Sequence, residues 1–321
     1  MFDIKTRVFN PKMTKTILVA TLILIAAQPL TASDAERSFH DVPAGAKLVL
    51  PEATTAGWLI PPGMLAKLKA SGFLFDVAPN GKVCLAKGRI IFYPELILTL
   101  TTKVPIQEFT WLAQGNMLVR SGQSLGFLNI DPDEVYGVTE KSVGGKGNVS
   151  FSSRFTLPYK QSHLYGGLGD HFYVVGYNEK AKRNEISVWD LSDEKVPARP
   201  LYATDSPINA VAGSPQKTYF ASGPEIFVLE KGSTTPKSIY VHAREDIREL
   251  TYRPDVGLFF TTDHSAGYIG AKESYEFLAY PGVQLRLRGN ALYIRFGAVG
   301  NGIMRITGPA HFADVRLDPP K

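Results

Sequence analysis

The side chains that could do chemistry in this sequence lie mainly in polar turns between apolar, strand-like runs. Asp263-His264 is the most suggestive pair, because one turn there combines a carboxylate with an imidazole. Aspartate also initiates turns in general, so a solvated turn without function is the alternative interpretation. Charged residues in comparable loops extend the pattern. A mixed-charge surface suited to a protein partner is predicted from Arg183, Asp205, Arg244, Asp246, Asp263 and His264.

Local enzyme motifs are absent from the sequence. It contains no H-E-x-x-H, G-x-S-x-G, Cys-x-x-Cys or dinucleotide fingerprint. The run Gly144–Gly147 lacks the Ser or Thr that follows the lysine of a phosphate-binding loop, which favours a surface loop. No two of the six histidines have a spacing of two or four residues. The sequence therefore leaves any catalytic residue unassigned and favours a protein that is not an enzyme. We predict no metal ligand and no cofactor, while a divalent metal held by distant residues that converge in a channel stays open.

The N-terminus has the three parts of a secretory signal. Lys12 and Lys15 precede the apolar run 17–27, and small residues follow it up to Ser33. This pattern predicts cleavage near Ala32 or Ser33. A membrane anchor is the alternative, but the apolar run is shorter than the roughly 20 residues that a spanning helix needs. Met13 opens a complete signal by itself, so residues 1–12 are interpreted as an extension from a wrongly assigned start codon.

The cysteine content and the net charge limit which cellular compartment and which partners are plausible for this protein. Cys84 is the single cysteine, so no internal disulfide forms, and its strand-like surroundings predict a buried, unreactive thiol. A large exported domain without disulfides is more typical of a bacterial protein, periplasmic or secreted, than of a eukaryotic secreted protein with many disulfides. The formal charge is +5, and removing residues 1–33, with four basic residues and one acidic residue, leaves +2. That charge excludes nucleic acid as a partner.

Short strand-like runs recur along the chain in groups of four. Residues 206–243 contain four runs separated by Pro- and Gly-bearing turns, and residues 246–280 repeat the pattern at a spacing of about 40 residues. We predict six such groups over residues 73–318, preceded by an extension over residues 34–72. Within the extension, Pro61-Pro62-Gly63 and Gly72 flank a predicted short helix. A sandwich or barrel is the alternative all-β fold.

The dipeptide Trp189-Asp190 ends the third strand of the third group and looks like a WD dipeptide. With the repeat, the chain resembles the β-propeller superfamily, and more loosely WD40-like and bacterial periplasmic propellers, over about residues 72 to 318. The resemblance implies a ring of twisted sheets around a central channel, with ligand contacts on loops at one rim. We predict an all-β propeller of six four-stranded blades, with seven as the alternative.

Three functions are consistent with such a fold. The leading hypothesis is a monomeric, exported scaffold or assembly factor that binds a protein or peptide in the bacterial envelope without a lasting membrane anchor. The alternative is a channel-site enzyme, such as a metal-assisted lactonase or a glycan-acting hydrolase, whose residues come one from each blade. A carbohydrate-binding propeller is the third hypothesis. Several carboxylate, Asn or His groups converging in the channel favour the enzyme, and a ring of small or apolar residues favours the scaffold.

Overall fold

The computed structural model describes residues 47–49, 54–61, 72–96, 98–129, 146–191, 199–214, 216–279, 281–296, 302–308 and 316–318. The predicted signal and the predicted helix after Gly63 lie outside these ranges. Within them, no helix has the length and apolar character needed to span a membrane. The helical content of the described chain is one 3-10 turn, Pro94–Leu96.

The described residues form strands almost throughout. In chain order these are β1 (Lys47–Val49), β2 (Thr55–Ile60), β3 (Leu74–Val77), β4 (Val83–Tyr93), β5 (Leu98–Ile106), β6 (Glu108–Trp111), β7 (Met117–Ser121), β8 (Ser124–Asn129), β9 (Lys146–Thr156), β10 (Ser162–Gly166), β11 (His171–Asn178), β12 (Arg183–Asp190), β13 (Arg199–Thr204), β14 (Ala210–Gly213), β15 (Lys217–Ser222), β16 (Glu225–Glu230), β17 (Lys237–Val241), β18 (Glu249–Arg253), β19 (Gly257–Thr261), β20 (Ser265–Ile269), β21 (Ser274–Ala279), β22 (Gln284–Arg288), β23 (Ala291–Arg295), β24 (Ile303–Thr307) and β25 (Arg316–Asp318).

Antiparallel meanders build the sheets. Three sheets have the orders β10-β11-β12-β13, β14-β15-β16-β17 and β18-β19-β20-β21. A fourth has the order β2-β24-β23-β22, so a strand from near the N-terminus completes the last sheet of the chain. A larger sheet, β3-β4-β5-β9-β8-β7-β6, arises because the first part of β9 pairs in parallel with β5 and its second part pairs with β8.

One edge strand of each four-stranded sheet, and both edge strands of the seven-stranded sheet, lie innermost and contact one another. These contacts run in a cycle through β3, β6, β10, β14, β18 and β22 and back to β3. The all-β propeller prediction is confirmed. The number of blades stays a prediction, which this cycle of innermost strands supports.

Each sheet buries both of its faces against neighbouring sheets. Strands β14 and β23 are buried at every position, as a strand between two packed layers must be. Trp189, the residue of the WD-like dipeptide, stacks on Phe172 in its own sheet and meets the edge of Phe155 in the preceding sheet. It is therefore a core residue between sheets. Cys84 is also fully buried, as predicted.

Local turn chemistry agrees with the sequence at one hairpin and differs at another. Asn80-Gly81 turns β3 into β4, with Gly81 at a φ of 84° that glycine adopts without strain. Lys87-Gly88 has the composition of a turn between two strands, but β4 continues through it as one strand of 11 residues. The reason is a change of partner: residues before Gly88 pair with β3, and residues from Gly88 onward pair with β5.

The composition of the last sheet differs from the sequence interpretation. The pattern of the sequence predicts its fourth strand at residues 312–317, but β25 pairs with β1 in a separate two-stranded sheet. The fourth strand is β2, from the segment that was interpreted as an extension outside the propeller. Strand β24 needs a hydrogen-bonding partner along its outer edge, and β2 supplies it while burying Ile60.

We predict that Ile60→Ala lowers the free energy of unfolding by about 2–5 kcal/mol, since it leaves a cavity beside buried Phe75, Val83 and Tyr293. Ile239→Ala on β17 is the matched control. Ile239 is 38% exposed, so its loss should change stability by only about 0.5 kcal/mol. Urea denaturation measures both variants. Equal effects of the two substitutions would contradict the assignment of β2 to the propeller core.

Candidate active site in the central channel

The innermost strands enclose a cavity of about 610 Å³, which is the central channel of the propeller. Every innermost strand contributes residues to its wall, and many of them are polar or charged. The polar residues that line it include Asp76, Glu108, His163, Asn209, Glu249, Gln284, Arg286 and Arg288. The channel is thus the feature in which carboxylate, amide, imidazole and guanidinium groups converge.

Contacts between neighbours show that the innermost strands run in the same direction around the channel. At their first residues, Glu108 on β6 accepts a hydrogen bond from the backbone N–H of Leu164 on β10. At their last residues, the backbone N–H of Leu168, just after β10, donates to the carbonyl of Gly213 on β14. We call the two ends of the channel the start end and the finish end, after the strand residues that lie there.

A carboxylate–imidazole pair lies at the start end. Glu108 Oε1 is 2.7 Å from Nδ1 of His163, which lies on the next innermost strand. The other oxygen of Glu108 accepts from Arg120 Nε at 2.7 Å and from the Leu164 N–H at 2.8 Å. Four fifths of the Glu108 side chain is buried, whereas 63% of the His163 side chain is exposed. The glutamate is therefore fixed, and it orients the imidazole beside the cavity.

This pair fixes the chemistry of the imidazole. The hydrogen bond to Glu108 raises the pKa of His163, and burial of the ring opposes that effect only in part. With Nδ1 bonded to a carboxylate, Nε2 is the nitrogen that can accept a proton in the neutral ring. A buried acid, an oriented imidazole and an adjacent cavity are the arrangement that general-base catalysis uses.

An ion-pair network occupies the wall between β18, β22 and β3. Arg286 Nη1 donates to Glu249 Oε2 at 3.1 Å, and Arg286 Nε lies 3.6 Å from Asp76 Oδ1. Its guanidinium carbon lies 5.6 Å from the centre of the Phe75 ring. Burial acts to lower the pKa of Arg286, but the carboxylates of Glu249 and Asp76 outweigh it and raise the pKa. Arg286 therefore stays charged within the channel wall.

Asp76 is the most deeply buried carboxylate of this wall, with 3% of its side chain exposed. It accepts the backbone N–H of Val77 and of Trp111, each at 2.8 Å. Arg288 reaches the same point and donates to the carbonyls of Val77 and Trp111. Three innermost strands, β3, β6 and β22, are thereby joined at one carboxylate.

Two further channel residues are held by bonds between sheets. Tyr165 donates from its hydroxyl to the Asn209 carbonyl at 2.8 Å, and the Asn209 side chain donates to the Ile247 carbonyl at 3.2 Å. Burial, Glu108 and Glu249 together raise the pKa of Tyr165. The Glu108–His163 pair, Tyr165 and the arginine-bearing wall all line the same cavity.

The predicted partner-binding residues all lie at the start end, Arg183 as the first residue of β12 and the others in loops, but none of them lines the cavity. Arg183 pairs with Asp205 at 3.2 Å. Asp263 instead pairs through both oxygens with Arg248, a channel-lining residue that the sequence did not single out. The predicted residues therefore lie at one rim, and their contacts are mainly with other residues of that rim.

The remaining predicted residues lie along the same rim. His264 Nδ1 is 2.6 Å from Glu245 Oε1, a second carboxylate–imidazole pair outside the channel wall. Arg244 and Asp246 flank Glu245 and are exposed. Their role in binding a partner stays a prediction.

The channel residues were missed because no local pattern marks them. Glu108, His163 and Glu249 each begin or nearly begin a strand whose other residues are largely apolar. A polar side chain at or near the start of several innermost strands was the available signal. It becomes visible only when the repeats are aligned on their innermost strands.

The carboxylates and the imidazole of the channel are the side chains that could bind a metal ion. Within the described ranges, no three His, Cys, Asp or Glu side chains gather closely enough to hold an ion. The oxygens of Asp76, Glu108 and Glu249 accept from arginine or backbone N–H donors. These carboxylates are thus engaged by donors of the protein itself. The expectation that no cofactor is needed stays a prediction.

Comparison with known proteins shows the fold. No protein-family model matches the sequence, and no curated protein sequence matches it. Among solved structures, a luciferin-regenerating enzyme gives a TM-score of 0.53 at 11% identity, over 86% of this chain and 98% of its own. A gluconolactonase from Xanthomonas campestris gives a TM-score of 0.50 at 9% identity, over 88% and 94%. At these identities the likeness shows the β-propeller fold alone.

We predict that Asp76→Asn lowers the free energy of unfolding by about 3–5 kcal/mol, because it leaves Arg288 without its buried counter-charge and Arg286 with Glu249 alone. Asp255→Asn removes the exposed partner of Arg253 and should cost no more than about 1 kcal/mol. Denaturant unfolding of the two variants makes the comparison. A small loss for Asp76→Asn would mean that the network does not hold the innermost strands together.

Proposed function

We propose that this protein is a hydrolase of small esters or lactones, with its active site in the central channel. The observation that carries the proposal is the pair of Glu108 and His163 beside a cavity of about 610 Å³. That volume suits a small organic molecule. The converging polar groups also meet the criterion that separates the channel-site enzyme from a scaffold.

In the proposed reaction, His163 acts as the general base. Nε2 accepts a proton from a water molecule, and the water oxygen forms a bond to the carbonyl carbon of the substrate. The bond from that carbon to the alkoxy oxygen then breaks, and His163 returns the proton to the departing oxygen. An ester gives an acid and an alcohol, whereas a lactone gives one hydroxy acid.

Glu108 is the positioning residue in this scheme. It bonds to Nδ1, so that Nε2 carries the lone pair, and it stabilises the imidazolium that forms after proton transfer. Arg120 and the Leu164 N–H fix Glu108 in turn. Such support from outside the reacting groups keeps a catalytic side chain in its productive orientation.

The scaffold hypothesis loses part of its basis when the rim charges are considered. Asp263 is bonded to Arg248, His264 to Glu245, and Arg183 to Asp205. Paired exposed charges offer little further attraction to a charged partner. The two solved structures of similar fold are named as enzymes, one of them a gluconolactonase, which is compatible with the proposal without carrying it.

We predict that His163→Asn lowers kcat/KM by about 10²–10⁴-fold, the range typical of a lost general base. His264→Asn is the matched control, because His264 also pairs with a glutamate but lies outside the cavity lining. It should leave kcat/KM unchanged. Activity is measured by acid release from p-nitrophenyl acetate and a panel of γ- and δ-lactones. Binding of these compounds without turnover in the wild-type protein would favour the binding-propeller alternative instead.

The pH dependence tests the role of Glu108. A general base must be neutral, so kcat/KM should fall as the pH drops through the pKa of His163, which Glu108 raises above its ordinary value of about 6.5. In Glu108→Gln the carboxylate is gone, and the acidic limb of the profile should move to lower pH. Its plateau should also fall, because the ring loses its orientation. A limb at the same pH in both proteins would show that a different group titrates.

A further inference from the structure

Positive charge exceeds negative charge in the channel wall that β3, β18 and β22 form, taken together with the strand β23 that pairs with β22 outside the cavity lining. Two carboxylates, Asp76 and Glu249, face three guanidinium groups, those of Arg286, Arg288 and Arg295. The other arginines that line the channel have their own partners, since Arg248 pairs with Asp263 and Arg253 with Asp255. The excess of one positive charge therefore belongs to this wall.

The surroundings of Arg295 show an effect of the excess positive charge. The residue is 6% exposed, and it donates to the Gln284 side chain and to the Phe73 carbonyl, both of which are neutral acceptors. Burial and the nearby charge of Arg286 lower the pKa of Arg295. An uncompensated buried charge is costly, and an anion inside the channel would offset that cost.

Arg286 is the member of this group that can receive the anion. Its Nη1 is committed to Glu249 and to the Leu285 carbonyl, and its Nε is 3.6 Å from Asp76. Within the described residues, both hydrogen bonds of Arg286 come from Nη1, and Nη2 makes none. The side chain lines the cavity and packs over Phe75, which limits its movement. A planar guanidinium with an unused donor matches the geometry of a carboxylate.

We propose that the substrate is a monoanion, an ester or lactone that also carries a carboxylate, and that Arg286 binds this carboxylate. A single excess charge favours a monoanion over a phosphate dianion, which would reverse the charge of the wall. The inference rests on the proposed function in taking the channel as the active site. Anion binding at equilibrium is nevertheless measured without turnover, so the two proposals fail separately.

The test follows trifluoroacetate by fluorine NMR at constant ionic strength, with trifluoroethanol as the neutral probe of similar size. Wild-type protein should broaden the trifluoroacetate line saturably, and acetate should compete more effectively than inorganic phosphate. Trifluoroethanol should show no saturable broadening. Equal behaviour of the two probes, or stronger competition by phosphate, would overturn the inference.

Three variants assign the effect to Arg286. Arg286→Met should weaken trifluoroacetate binding by at least about tenfold, the loss expected for a charge-assisted bond. Arg248→Met is the matched control, since Arg248 also lines the channel but pairs with Asp263 at the rim, and it should bind normally. Glu249→Gln removes a competing carboxylate and should tighten binding several-fold.

The last variant keeps the inference testable if Arg286→Met fails to fold. Glutamine at position 249 retains an oxygen to accept the Leu285 N–H, which Glu249 Oε2 accepts now. Unchanged or weaker trifluoroacetate binding in a folded Glu249→Gln protein would overturn the inference. His163→Asn should bind trifluoroacetate normally, so intact anion binding without hydrolysis in the wild-type protein would contradict the proposed function alone.

Discussion

The buried carboxylate of Asp76 is the constraint on which the closure of this propeller depends. It accepts two backbone N–H groups and faces two arginines from the last sheet, so it joins the beginning of the ring to its end. A carboxylate with 3% of its surface exposed has lost almost all of its hydration. Only several donors acting together offset that loss, which is why β3, β6 and β22 must approach one another at this point.

The outer edge of the ring is closed by a different interaction. Strand β2, from near the N-terminus, pairs along β24, and its Ile60 packs against residues of β3, β4 and β23. The first and last parts of the ring are thus joined at its outer edge by backbone pairing and apolar burial, and at the channel by ion pairs. The apolar packing of β2 and the ion pairs of Asp76 both connect the first sheet to the last one. Each of them therefore limits the separation of these two sheets.

Much of the fold could be predicted from periodic strand and turn signals, because those signals are local. Asn80-Gly81 specifies its hairpin through the positive φ of one glycine. The pairing of β2 with β24 could not be predicted in the same way, since the partners are separated by about 250 residues and neither carries a distinctive motif. The continuity of β4 through Gly88 was hidden for a related reason, as it depends on which strand lies opposite.

The candidate site was harder to predict than the fold. Charged loop residues such as Asp263 and His264 stand out in a sequence, and they do lie at one rim, yet Arg248 and Glu245 satisfy them there. Glu108 and Arg286 are each unremarkable in their own strands. Their chemistry arises only when a ring of strands brings their charges to one cavity, which is a property of the closed structure.

The two walls of the channel differ in how far chemistry can be separated from stability. On one wall, Asp76, Glu249 and the arginines both hold the sheets and carry the excess charge, so substitutions there change folding and binding together. On the other wall, Glu108 is buried but His163 is largely exposed. Removing the imidazole leaves Glu108 bonded to Arg120 and to the Leu164 N–H, so the structure keeps its ion pair while the channel loses its base. Of the two walls, the one that tolerates substitution more easily is therefore the one on which the proposed reaction depends.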